Sequence, residues 1–258
     1  MSGAAMSGHG KTAWITGAGS GIGRACAVAL AAAGWRLALT GRREEPLRET
    51  AELAGQGDAI ILPADLTDPA AVQLAAKRVA DTLGGPDLLV NNAGSNVPRR
   101  HWHQLSPEDA KLVVDANLTA PFYTSLAVLP AMRARGGGLL VQIASMAGKG
   151  SFGISGPGYI AAKSGFVALS ASINSENGIH NIRSTCICPG EVATPILDKR
   201  PIPVPAEERA RMLQPEDVAE VVAFVAGMPP RACIDEVMVN PTHRRLQAEW
   251  ARGIAAMP

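Results

Sequence analysis

Short apolar runs alternate with amphipathic stretches along the whole chain. The runs TAWIT (12–16), RLALT (36–40), AIIL (59–62), LLVN (88–91), LLVQIAS (139–145), STCIC (184–188) and EVMVN (236–240) are strand-length. Several are almost wholly apolar, the pattern of strands covered on both faces. Helical patterns lie between them, near 20–33, 44–54, 68–82, 106–135, 159–176 and 215–226. Ser106-Pro107-Glu108-Asp109 reads as an N-cap, a proline in the first helical position and an acidic first turn. Pro215-Glu216-Asp217 repeats that logic after Gln214, and Gly34, Gly55 and Gly84 stand where helices should stop. Strand–helix alternation of this kind predicts an α/β fold: one doubly wound parallel sheet of seven strands flanked by helices. Ligands of such sheets bind beyond the C-terminal ends of the strands.

The 258 residues, 47% of them hydrophobic and 18% charged, suffice for one large core, and I/L/V/A side chains must fill it because aromatics make up only 4%. A domain over 11–242 is expected, with tails at 1–10 and 243–258. The opening MSGAAMSGHGK has no apolar centre and so reads as a loose tail rather than a signal peptide, with Met6 as an alternative start. A net charge of +1 gives no electrostatic reason to expect nucleic acid or an anionic membrane as partner. No apolar run approaches the ~18 residues that span a bilayer. Cys26, Cys186, Cys188 and Cys233 have neither disulfide-framework nor metal-pair spacing. Cys186 and Cys188 share one strand face as small apolar residues. These thiols suit a reduced cytoplasm.

Chemistry enters at the end of the first strand. Thr16-Gly17-Ala18-Gly19-Ser20-Gly21-Ile22-Gly23 joins a strand to a helix, the context a phosphate-binding glycine turn needs. Glycines let backbone N–H groups approach a pyrophosphate at a helix N-terminus. The spacing is T-G-x-x-x-G-x-G. Here the sequence resembles the short-chain dehydrogenase/reductase family, over about residues 12–242. The resemblance implies a single-domain Rossmann-like oxidoreductase that moves a hydride between a nicotinamide cofactor and a ketone, aldehyde or alcohol.

The second strand ends in Thr40-Gly41-Arg42-Arg43, with no acidic residue to accept from a ribose 2′-hydroxyl. Two guanidinium groups suit a 2′-phosphate instead. NADP(H) is thus favoured over NAD(H), although Glu44 and Glu45 could simply balance a solvated pair. By resemblance, Asp65 (followed by Leu66) caps the adenine amino group, and Asn92-Ala93-Gly94 after Asn91 lies along the adenosine ribose. Asp65 could equally be a turn or N-cap aspartate. Also by resemblance, Pro189-Gly190-Glu191-Val192-Ala193-Thr194 supplies Val192 and Thr194 to the nicotinamide carboxamide.

Tyr159 and Lys163, at i and i+4, share a helical face. Gly156-Pro157-Gly158 cannot easily be helical, which puts Tyr159 at or just inside the helix start. A neighbouring ammonium and the positive helix end should both lower the phenol's pKa from ~10. Ser145 ends the fifth strand with a hydroxyl. Asn117 precedes Pro121 by four residues, so its carbonyl loses a helical donor and stays free beside the amide. The resemblance implies Tyr159 as general acid–base, Ser145 as orienter of the reacting oxygen, Lys163 as ribose-binding tuner of Tyr159, and Asn117 as holder of a water. Thirteen residues separate Ser145 from Tyr159, slightly more than is usual in the family, which leaves Ser151 and Ser155 as weaker alternatives.

The segments Ser95–Gln104 and Ile196–Arg209 should flank the substrate end, the second as a lid stiffened by Pro201, Pro203 and Pro205. Arg99, Arg100, Lys199 and Arg200 could attract an anionic substrate. His101 and His103 read as loop residues, and no metal is expected. The resemblance implies a homotetramer or homodimer. A catalytically silent regulator would lack one of Tyr159, Lys163 and Ser145. A sugar-nucleotide epimerase or dehydratase would need more chain after the seventh strand.

Overall fold

The structure, a computed structural model, describes residues 8, 10–150, 153–200 and 203–244. Seven strands form one parallel sheet: β1 (Thr12–Thr16), β2 (Arg36–Gly41), β3 (Ile60–Pro63), β4 (Leu88–Asn91), β5 (Gly138–Ile143), β6 (Ile182–Pro189) and β7 (Glu236–Val239). Their order is β3-β2-β1-β4-β5-β6-β7. The chain winds outward from β1 in both directions, so a crevice opens between β1 and β4 at their C-terminal ends, the switch point where such sheets take ligands. Every residue of β1 and β4 is buried, as strands with helices on both faces must be.

The helices are α1 (Gly21–Ala32), α2 (Glu44–Leu53), α3 (Pro69–Leu83), α4 (Pro107–Val114), α5 (Ala120–Arg135), α6 (Pro157–Asn177), a single turn α7 (Ala206–Arg209), and α8 (Pro215–Gly227). One face of the sheet packs Ile15, Leu39 and Val90 against Leu30 of α1, Leu47 of α2 and Val222 of α8. The other packs Trp14, Leu89 and Leu140 against Val79 of α3, Met132 of α5 and Phe166 of α6. The buried Trp14 indole donates to Thr40 Oγ1 at 2.8 Å, so its one polar atom is satisfied.

The predicted elements are all present, with four corrections. β5 stops at Ile143, so Ser145 lies beyond the strand. α6 begins at Pro157: Gly156 is its N-cap at φ 76°, and Pro157 and Gly158 are helical. Proline is well suited to a first turn, where its missing N–H has no partner to lose. The stretch expected as one helix over 106–135 is two helices joined by a π-helical turn, Asp115–Thr119, with Pro121 inside α5. The stretch Pro107–Arg135 is long and apolar enough to cross a membrane, at a mean hydropathy of 1.3, but it packs within the domain, α4 against α6 and α5 against α3. The expected lid is not simply extended. It carries a 3₁₀ turn at Pro195–Lys199 and the single turn α7, while Pro201 lies outside the described residues. Most of both expected tails also lies outside them.

Candidate active site

One half of the candidate site is built where β1 turns into α1. Gly17 and Gly21 have φ of 64° and 53°, values that glycine alone adopts at no cost. A Cβ on Gly23 would sit 2.3 Å from the Gly17 carbonyl oxygen and 2.5 Å from Asn92 Nδ2, so the helix start closes onto the turn. Ser20 caps α1 through backbone geometry, with no side-chain cap and no acidic residue in the first turn. The N–H groups of that turn therefore face the cleft uncovered, beside Gly19 and Ile22, and suit a pyrophosphate.

Thr16 is the hub, and sequence reasoning passed over it. Its Oγ1 accepts from the N–H groups of Asn92 and Ala93, both at 3.0 Å, and donates to Val90 O at 3.2 Å. Asn92 Nδ2 donates back to Thr16 O and Gly17 O at 3.0 and 3.2 Å. Its side chain thus locks the glycine turn rather than reaching for a ligand. Asn91 is engaged inside the fold, donating to Gln142 Oε1 at 3.0 Å and accepting from Thr124 at 2.6 Å. The signal in sequence was present: polar residues at the ends of otherwise apolar strands must find partners when buried.

These elements line one cleft of about 1020 Å³ across the C-terminal edge of the sheet. At the end beside β2, Arg42 and Arg43 are exposed and form no ion pair among the described residues, and the neighbouring Glu44 is held by Arg48. Asp65 Oδ1 accepts from Thr67 N and Thr67 Oγ1 at 3.0 and 2.8 Å, which holds its carboxyl below the usual range. It is a turn aspartate, beside Leu66, and the helix cap of α3 is Asp68. At the other end Gly190 N donates to Val239 O at 2.7 Å, and Ala193 N to Leu213 O at 2.8 Å. Those bonds set Pro189, Val192 and Thr194 on the cleft wall, with Thr194 packed against Gly21.

Between these ends the candidate catalytic residues converge. Ser145 caps a 3₁₀ turn: its Oγ accepts from Ala147 N at 3.1 Å, and its hydroxyl lies close enough to Tyr159 to pull the phenol's pKa down. That contact supports Ser145 over Ser155, which also lines the cleft; Ser151 lies outside the described residues. Lys163, one turn beyond Tyr159, is 3% exposed and donates to Ile143 O at 2.9 Å. Its Nζ stands 5.7 Å from the Tyr159 ring centroid and 5.0 Å from that of Phe166.

The electrostatics correct the expected direction for Tyr159. Burial pushes its pKa up, and this outweighs the downward pull of the Ser145 hydroxyl and of the Arg100 and Arg200 charges. Burial also acts on Lys163, lowering it from 10.5 to about 8. A lysine that is less readily charged is a weaker tuning cation than the spacing alone suggested. Between pH 8 and 10.5 the unfolded chain holds a proton at this position that the folded chain has shed, so folding stability rises with pH there. Compared with Lys163→Met, the wild type should gain up to about 3 kcal/mol between pH 7 and 10.5 in denaturant titrations. A stability difference independent of pH would contradict this.

Asn117 sits in the π turn and is fully buried. Its Nδ2 donates to Ser95 O and Val113 O at 2.6 and 2.8 Å. Its Oδ1 is buried without a partner among the described residues. The free acceptor is thus the side-chain oxygen, where the sequence had suggested the backbone carbonyl. π turns give Asn117 an inward position that a regular helix would not. A Cβ on Gly94 would lie 2.7 Å from Asn117 Oδ1 and 3.8 Å from Lys163 Nζ, so glycine there keeps a gap between the two polar groups.

The model of the short chain dehydrogenase family matches residues 11–202. This chain belongs to that family. A D-beta-hydroxybutyrate dehydrogenase of Rhizobium meliloti (strain 1021) is 34% identical, over 93% of this chain and 98% of that protein. Among solved structures, a metagenomic short-chain oxidoreductase in complex with NADP is 34% identical at TM-score 0.78, covering 91% of this chain and 99% of that one. An alcohol dehydrogenase from the archaeon Thermococcus sibiricus, complexed with 5-hydroxy-NADP, is 28% identical at TM-score 0.81, covering 91% and 98%. As a short-chain dehydrogenase/reductase the protein is an oxidoreductase acting on CH–OH groups with NAD(P), and the glycine turn and uncovered start of α1 fit the dinucleotide.

Proposed function

We propose that this short-chain dehydrogenase/reductase interconverts a ketone or aldehyde and an alcohol with NADP(H). The observation that carries the reading is the convergence of Ser145 and Tyr159 on one cleft, one helical turn from the buried Lys163, with an Asn117 oxygen that has no partner among the described residues in the same cleft. The dinucleotide supplies or accepts the hydride when bound. Tyr159, kept protonated by burial, gives its proton to the carbonyl oxygen, and Ser145 donates a second hydrogen bond to that oxygen. Lys163 binds the ribose hydroxyls through Nζ donors not used by Ile143. Asn117 Oδ1 accepts from a water that restores the proton to Tyr159. Gly17–Gly23, Asn92–Gly94, Asp65–Leu66 and Pro189–Thr194 hold the cofactor along the cleft.

The preference for NADP(H) rests on Arg42 and Arg43, two exposed guanidinium groups at the end of β2 that form no ion pair among the described residues. Charge-assisted hydrogen bonds contribute about 1.5–3 kcal/mol each. Arg42→Ala with Arg43→Ala should therefore raise KM for NADPH by about 10²-fold while changing KM for NADH less than threefold. Absorbance at 340 nm with both cofactors over a carbonyl panel tests this and the activity together. Equal losses with both cofactors would sink the preference, and no turnover with any substrate would sink the function.

Leu112, Phe122 and Leu126, 45–55% exposed along α4 and α5, support self-association as a homotetramer or homodimer. Four free thiols, three of them buried, support a cytoplasmic setting.

A further inference from the structure

Four cationic residues near the substrate end invited an anionic substrate, and the structure separates them. Arg99 is exposed and away from the cleft lining. Lys199 Nζ donates to Ser95 Oγ at 2.8 Å. Arg200 pairs with Glu191 at 2.7 Å. Arg100 differs from all three. It lines the cleft, yet it is only 5% exposed and has no carboxylate partner among the described residues. Its Nε donates to Val97 O at 2.8 Å and one Nη2 hydrogen to Lys199 O. Its Nη1 makes no hydrogen bond among the described residues.

A buried cation is costly unless paired. Two neutral carbonyls do not neutralise it, and the Arg200 charge nearby adds repulsion. The surroundings keep it there nevertheless. Its two carbonyl bonds fix the plane of the fork. Gly156, at φ 76°, lies so close that a Cβ would be 2.5 Å from Arg100 O and 2.8 Å from Arg100 Cβ. The insertion before α6 therefore packs directly on this residue. Arg100 is also close enough to Tyr159 for each to influence the other's ionisation. Across the whole cleft, eight Lys and Arg face only four Asp and Glu. A carboxylate is the group that a held, unpaired guanidinium fork near a proton donor would receive, in bidentate fashion.

We propose that Arg100 binds a carboxylate of the substrate, so that the protein acts on an oxo acid and the corresponding hydroxy acid. The inference rests on the carbonyl–alcohol reading above. It makes Arg100 a specificity residue for the part of the substrate that does not react.

The test uses straight-chain oxo acids, with the carbonyl two to five carbons from the chain end, each paired with its neutral methyl ester. For at least one pair the wild type should favour the acid by about 10²-fold or more in kcat/KM, the contribution of a bidentate charge-assisted pair. Arg100→Met should remove most of that advantage, chiefly through KM, and change the ester less than threefold. Arg100→Lys, which keeps the charge without the fork, should lose about tenfold on the acid alone, and it serves if Arg100→Met does not fold. Calorimetric titration of the same acids into the protein saturated with NADP+ gives a second readout, with affinity expected to fall in Arg100→Met. If esters are reduced as well as acids, or if Arg100→Met slows both equally, Arg100 is only a loop tie and the inference fails. If nothing is reduced yet Arg100-dependent acid binding persists, the carboxylate site stands and the carbonyl–alcohol reading fails. If neither turnover nor acid binding is seen, both fall.

Discussion

Tyr159→Phe should lower kcat for carbonyl reduction by about 10³-fold or more, since positioned proton transfer contributes roughly 10²–10⁴. The change removes one oxygen and keeps the ring, so the contact with Lys163 Nζ survives. NADPH affinity, measured by calorimetry, should stay within about threefold. The direction of the wild-type pH dependence follows from burial. An acid whose pKa is raised stays protonated through neutral pH, so reduction keeps its proton donor there. Alcohol oxidation needs the deprotonated form and should gain as pH increases. Substantial reduction by Tyr159→Phe would move the proton donor elsewhere, with Ser145 the first residue to test.

The second large effect is on folding and cofactor binding at once. In Gly23→Ala the new methyl would stand 2.3 Å from the Gly17 carbonyl oxygen, and both partners are backbone or tightly held. Neither can yield cheaply, because Gly17 is fixed by Asn92 and Asn92 by Thr16. Overpacking of this kind costs about 3 kcal/mol, which lowers Tm by roughly 6–12 °C for a domain of this size. The same displacement opens the turn, so NADPH affinity should fall at least tenfold. Gly57→Ala is the control: Gly57 has ordinary φ and no atom within 4 Å of the added methyl, so it should change neither quantity. Equal behaviour of the two variants would show that the turn tolerates expansion.

The fold was legible because its strands are short and apolar and most are closed by glycine or proline, and all seven were readable before their order was known. The glycine turn and strand-end half of the candidate site was legible for a related reason. Its residues sit at strand ends and helix starts, where one backbone geometry demands one residue type. What resisted reading depends on burial. Spacing placed Tyr159 beside Lys163, but only the packed structure shows that desolvation outweighs Ser145 and the Arg100 and Arg200 charges and raises the phenol's pKa. The same holds for Arg100, one of four similar cations in sequence and the one that is enclosed with no carboxylate partner among the described residues. Asn117 was flagged through Pro121, although the distortion lies before that proline and frees a different oxygen.

That distortion also governs where the chain can change length. Each α-helical residue turns the helix by about 100°, and the π turn at Asp115–Thr119 takes up its residues at a different pitch. The inward position of Asn117 is therefore set by the residue count through that turn. A π turn holds one residue more than the α turn it replaces, so losing one there would leave Val128 and Met132 on the sheet but carry Asn117 away from its inward place beside Gly94. The segments around Arg100, Gly153 and Pro203 carry no such phase. Divergence in substrate range can accumulate there by insertion and deletion, while Pro107–Arg135 is held to one length.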